Sequence, residues 1–111
     1  MSEESSLIYN KALDILSRRE HSAKELIFKL EKKFDSTEEI FLTVSKLKKN
    51  NLLNDFRYAE AYVVARKRKG FGPKKIKFEL LSKGIDESDI HKVLNEEGGW
   101  KKAAKLSLIH I

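Results

Sequence analysis

Two stretches fifty residues apart decide the fold: SAKELIFKLEKKFDSTEEI at 22–40 and GPKKIKFELLSKGIDESDI at 72–90. Laid over one another, Ser22 falls on Gly72, Leu26 on Ile76, Phe28 on Phe78, Leu30 on Leu80 and Lys33 on Lys83. Further on, Ser36 falls on Asp86 and Ile40 on Ile90. Two amphipathic helices share some apolar positions by chance. Here the helix-starting residues coincide as well as the apolar ones, which argues for an internal repeat.

Each stretch reads as one helix, a turn and the start of another. Ser22 to Glu25 is a capping box, the serine accepting an orphan N–H and the glutamate reaching back. Leu26, Ile27, Leu30 and Phe34 form the stripe behind it. Ser36-Thr37-Glu38-Glu39 repeats the capping logic ahead of Ile40, Phe41, Val44 and Leu47. In the second stretch Gly72-Pro73 supplies an N-cap and a first helical residue that needs no N–H. Ile76, Leu80 and Leu81 carry that helix, Gly84 stops it as a left-handed cap, and Asp86 caps the next, with Ile90, Val93 and Leu94 on one face.

Working outward, Leu7, Ile8, Ala12, Ile15 and Leu16 fit a first helix over roughly residues 5–18. Asn50-Asn51 ends the third helix, and Asn54-Asp55 starts a fourth lined by Phe56, Ala59, Tyr62 and Val63. The first and fourth helices align with a shift of 49: Tyr9 on Tyr58, Ala12 on Ala61, Leu13 on Tyr62. Trp100 takes the same tyrosine position in a third copy, with Ala103 and Ala104 as its alanines. The expected fold is all-α: tandem three-helix repeats, two complete (1–52 and 53–98) and a third (99–111) truncated after its first helix.

The 111 residues carry 23 Lys+Arg against 17 Asp+Glu, a net +6. The excess is local. RKRKGFGPKKIK at 66–77 holds seven basic residues and no acid; the rest has 16 basic and 17 acidic residues, a net of −1. With no cysteine, disulfide scaffolds, cysteine-ligated zinc and thiol nucleophiles are excluded. Nothing approaches the ~18 apolar residues of a membrane span. MSEESS at the start lacks the regions of a signal peptide, so no membrane association and a cytoplasmic location are expected.

Catalytic chemistry is sought without result. His21, His91 and His110 are not spaced for metal ligation, and His21 simply precedes a capping serine. Gly70-Phe71-Gly72 lacks the Gly-Lys-Ser/Thr of a P-loop. Asp86, Glu87 and Asp89 at a helix start are explained by capping and the helix dipole. No enzyme activity, metal or cofactor is expected.

Other residues carry a resemblance. Ala12-Leu13, Leu16 and Arg18, then HSAKEL at 21–26 and Leu30, NDFRYAEAYV at 54–63 and RKGFGPKKIKFELLSKGI at 68–85 occur in the order found in the RecX family. The chain resembles that family over about residues 7–106. The resemblance implies tandem three-helix repeats and a non-enzymatic regulator of the RecA recombinase. Such a regulator lies in the groove of the RecA–DNA filament and restrains recombination and SOS activity. The family normally has three complete repeats, so the short third repeat is a departure, and its apolar tail is a candidate for self-association.

The candidate site is the basic turn: Arg66, Lys67, Arg68, Lys69, Phe71, Lys74, Lys75 and Lys77. The cations at the end of one helix suit its dipole, whereas those at the start of the next do not. They are expected to repel one another unless an anion neutralises them, and to face DNA phosphate or an acidic recombinase surface. Phe71 either stacks on a base or packs between helices. Arg18 and Arg19 are the first-repeat counterparts, expected to extend a cationic stripe. The expected partners are the RecA filament and single-stranded DNA bound without sequence preference. A stand-alone nucleic-acid-binding module and a protein-interaction scaffold with a basic face remain alternatives.

Overall fold

The structure, a computed structural model, describes residues 3–98. Among them are six helices and no strand: α1 (Glu3–Arg18), α2 (Ala23–Glu31), α3 (Thr37–Lys49), α4 (Asp55–Arg68), α5 (Pro73–Ser82) and α6 (Glu87–Glu97). The helix expected from Trp100, with Ala103 and Ala104, lies outside the described residues. The chain divides into two compact units, Met1–Tyr58 and Ala59–Ile111.

In the first unit α1, α2 and α3 pack on one another. Ile8, Ala12 and Ile15 recur at i, i+4 and i+7 along α1 and bury that stripe against Leu26 and Leu30 of α2 and Ile40, Val44 and Leu47 of α3. Leu53 closes the cluster from the loop before α4, and Tyr9, Leu16, Ile27 and Phe34 pack on it half-buried. In the second unit α5 packs on α6. Among the described residues, its buried ones are Ala59, Val63, Ile76, Leu80, Ile85, Ile90 and Val93.

Three expected core positions are exposed instead: Leu7, Phe41 and Leu81. Each adjoins a buried residue (Ile8, Ile40, Leu80), and neighbours along a helix point about 100° apart, so one stripe cannot hold both. Leu7 shares the outer face of α1 with Asn10, Asp14 and Ser17, all exposed. Leu81 shares that of α5 with Lys74, Lys77 and Phe78. The expected alignment of α1 with α4 is not matched in burial: Tyr58 is buried and Tyr9 half-buried, and Ala61 is exposed where Ala12 is buried, the buried alanine of α4 being Ala59.

The expected caps are present with one difference. Ser22 forms the complete capping box with Glu25, and Ser36 accepts from the Glu39 N–H. Asn54 starts α4, its side chain accepting from the Arg57 N–H at 2.9 Å. Gly72 and Pro73 open α5. Asp86 sits at the cap of α6 but makes no cap hydrogen bond, because its carboxylate accepts from the Ser88 hydroxyl. Three helices end alike. Leu52 N–H donates to Leu47 O and Asn51 N–H to Lys48 O; the pairs Phe71–Arg66 with Gly70–Lys67, and Ile85–Leu80 with Gly84–Leu81, repeat the pattern. These are Schellman motifs, and Asn51, Gly70 and Gly84 carry the positive φ (59°, 92° and 81°) that the motif requires.

The first turn of α4 belongs to the first unit for a specific reason. The Asp55 carboxylate accepts the Ala23 N–H at 2.7 Å, satisfying a donor at the start of α2. Arg57 pairs with Glu20 and donates to the carbonyls of Asn51 and Leu52. Residues before α2 and before α4 are thereby tied together. Ser22→Ala, at a fully buried cap, is expected to cost about 1–2 kcal/mol in urea denaturation. Asp86→Ala, which removes no cap hydrogen bond, is expected to cost less than half as much; equal losses would contradict this account of the caps.

Candidate functional site

The basic turn is built by two helix ends. α4 finishes through Arg66, Lys67 and Arg68, the Schellman turn places Lys69, Gly70 and Phe71, and α5 begins at Pro73. The expected repulsion among the seven cations is relieved for three of them by acids that lie outside the segment. Arg66 forms a two-point pair with Glu79 of α5, Nε to Oε1 at 3.0 Å and Nη2 to Oε2 at 2.9 Å. Both side chains are about four-fifths buried (23% and 21% exposed), the setting in which a bidentate pair has most effect. Tyr62 donates its hydroxyl to the same Oε1 at 3.0 Å. Lys67 reaches α6, where it pairs with Glu97 and donates to the Gly98 carbonyl at 2.8 Å, serving the orphan carbonyl end of that helix. Lys77 pairs with Glu87 in an exposed contact that contributes little.

Phe71 is held by cations. The Arg66 guanidinium lies 3.8 Å from its ring centroid and the Lys75 ammonium 4.8 Å. The half-buried ring thus anchors the turn to α4 and α5, and its π surface is already engaged. Arg68, Lys69, Lys74 and Lys75 remain exposed, with no carboxylate within salt-bridge distance among the described residues. The first turn of α5 holds no acidic residue, whereas those of α1, α2, α3, α4 and α6 all do. In the first unit Arg18 contacts Asp14 at 3.4 Å, and Arg19 reaches Glu25 at 3.3 Å.

Glu79 is the residue that sequence reasoning passed over. A signal existed: its counterpart fifty residues earlier is Lys29, so one position in the repeat reverses its charge. Burial alone would raise its pKa. The hydrogen bonds from Arg66 and Tyr62, with the charges of Arg66 and Lys75, outweigh that and bring it below the ordinary value. A carboxyl that ionises more readily when folded stabilises fully above the ordinary 4.5 and loses that contribution as pH falls through its lower folded value. The melting temperature of the wild type is therefore expected to drop more steeply in that acid window than that of Glu79→Gln. Parallel pH profiles would contradict the pairing.

No group of three or more His, Cys, Asp or Glu side chains able to hold a metal occurs among the described residues. No described helix is long and apolar enough to cross a membrane. Two sets of three helices, the second carrying the basic turn between α4 and α5, define the class: an all-helical repeat protein. The family follows from comparison with known proteins. The model of the RecX second three-helix domain matches residues 54–94, and that of the RecX first three-helix domain matches residues 9–47. The chain belongs to the RecX family.

Relatives named "Regulatory protein RecX" include one from Pseudomonas syringae pv. tomato, 36% identical over 96 residues, covering 86% of this chain and 62% of the relative. Another, from Legionella pneumophila, is 39% identical over 89 residues, covering 80% and 59%. The chain thus spans about three-fifths of these relatives' length. A crystal structure of regulatory protein RecX superposes with a TM-score of 0.80 at 29% identity, over 86% of this chain and 48% of that one. RecX from Lactobacillus salivarius gives 0.77 at 34% identity, over 88% and 64%.

Proposed function

We propose that the chain is a non-enzymatic regulator of the RecA recombinase that occupies the groove of the RecA–DNA filament and restrains recombination and SOS activity. Family membership supports the regulatory role. The observation that carries the mechanism is the exposed quartet Arg68, Lys69, Lys74 and Lys75, with no acid partner in the described residues. Phosphate oxygens, or carboxylates on a protein surface, would satisfy both the quartet and the acid-free start of α5. In this reading residues 1–52 and 53–98 are the two complete repeats, and 99–111 opens a third.

The test replaces Arg68, Lys69 and Lys74 by Glu and Lys75 by Gln, since a glutamate at 75 would sit against Phe71 and near Glu79. Arg66 is left alone, because a glutamate there would face Glu79 and confound binding with folding. Inhibition of RecA ATPase and strand exchange is expected to fall sharply; unchanged inhibition would refute the assignment. If the quartet meets ~4 phosphates of a single strand, log K should fall with log[salt] at a slope near −3. A slope near zero on bare single-stranded DNA, with binding to RecA filaments intact, would assign the face to protein instead.

A further inference from the structure

The first unit contains a cavity of about 430 Å³, in the size range of small-ligand sites, and six cations line it: Lys11, Arg18, Arg19, Lys29, Lys32 and Lys33. Among the described residues, two carboxylates form ion pairs with them. Asp14 is shared between Lys11 at 3.6 Å and Arg18 at 3.4 Å, and Glu25 pairs with Arg19. Cations at the last turns of α1 and α2 suit the helix dipoles, which accounts for Arg18, Lys29 and Lys32. That does not account for Lys11, which sits in the middle of α1 yet converges with Lys33. Both line the cavity, and the proximity of Lys11 is what chiefly pulls Lys33 below its usual pKa.

The cavity is also constructed from a buried polar group. His21 is 1% exposed and both ring nitrogens are engaged: Nδ1 lies 2.9 Å from the Arg19 carbonyl, and Nε2 lies 2.7 Å from the Lys29 ammonium. An ammonium can only donate, so Nε2 accepts and Nδ1–H donates, which fixes a neutral tautomer. Burial foremost, with the charges of Arg19 and Lys29, lowers the His21 pKa and agrees with that state. The ring thus holds the Lys29 amine at the cavity, with Ile15 as an apolar wall. At the matching position of the second unit stands Glu79, which neutralises its surroundings; here Lys29 adds charge.

We propose that this cavity is a phosphate site, in which Lys11, Lys29 and Lys33 hold the oxyanion of a phosphate group, carried by a nucleic-acid backbone or by a smaller polyphosphate. It does not rest on the recombinase reading, since its ligands are tested without any recombinase. The full chain is titrated calorimetrically, at constant ionic strength, with sodium pyrophosphate and separately with a short oligo-dT strand. Saturable binding of at least one probe is expected, weakened about tenfold or more in Lys11→Gln/Lys33→Gln, a loss of about 1.4 kcal/mol. Lys48→Gln/Lys49→Gln, at the exposed end of α3 and outside the cavity, should leave pyrophosphate binding unchanged. Binding of pyrophosphate identifies a terminal phosphate as sufficient; binding of oligo-dT alone identifies the backbone. Lys33→Gln by itself, at an exposed position, keeps the test decisive if the double variant fails to fold, and should weaken the same probe. No saturable binding of either probe, or binding indifferent to Lys11 and Lys33, would overturn the proposal.

Discussion

The start of α2 is the constraint on which the first unit depends. Ser22 and Ala23 are buried there, and a buried helix start must satisfy donors that the helix itself leaves open. The solution draws on both sides of the sequence. Ser22 and Glu25 satisfy one another's N–H groups, and the Ala23 N–H is met by Asp55, thirty-two residues away. The surrounding residues are then fully occupied: Arg19 with Glu25, Glu20 with Arg57, and His21 between the Arg19 carbonyl and Lys29. A local capping motif thereby becomes a tertiary joint that fixes both the loop before α2 and the entry to α4.

The second unit meets the corresponding position differently. α5 opens with an exposed glycine and a proline, without a side-chain cap. Order at this turn comes from the Tyr62–Glu79–Arg66 network and from Phe71 beneath two cations. The consequence is a division of labour inside one basic segment. Arg66, Lys67 and Lys77 bind their own fold, and only the remainder faces solvent with charge to offer. A segment that counts as seven cations in sequence therefore presents about half of them to a ligand.

Most of the fold was legible because it rests on local rules. Helix starts at Ser22, Ser36, Gly72 and Asp86, and ends at Asn51 and Gly84, follow from residue chemistry that acts over three or four positions. The outer faces were less legible: Leu7, Phe41 and Leu81 look like core in an apolar count, and only packing chooses between neighbours. The site was half legible. The cations could be located by charge, but their partners Glu79, Glu87 and Glu97 lie ten to thirty residues away, and spacing says nothing at that range. His21 was invisible for the same reason, since its burial depends on Lys29 and on the joint around it.

The three Schellman turns have one more implication, which concerns chirality. A Cβ at Gly70 would meet nothing within 4 Å, so space is not what demands glycine there. The demand is the sign of φ, which penalises one hand of amino acid and suits the other. In a chemically synthesised chain, D-alanine at position 70 would occupy its own preferred backbone region and reduce the freedom of the unfolded chain, whereas L-alanine would be strained. The basic turn could thus be stiffened without altering one of its charges or contacts, simply by writing a single residue in mirror image.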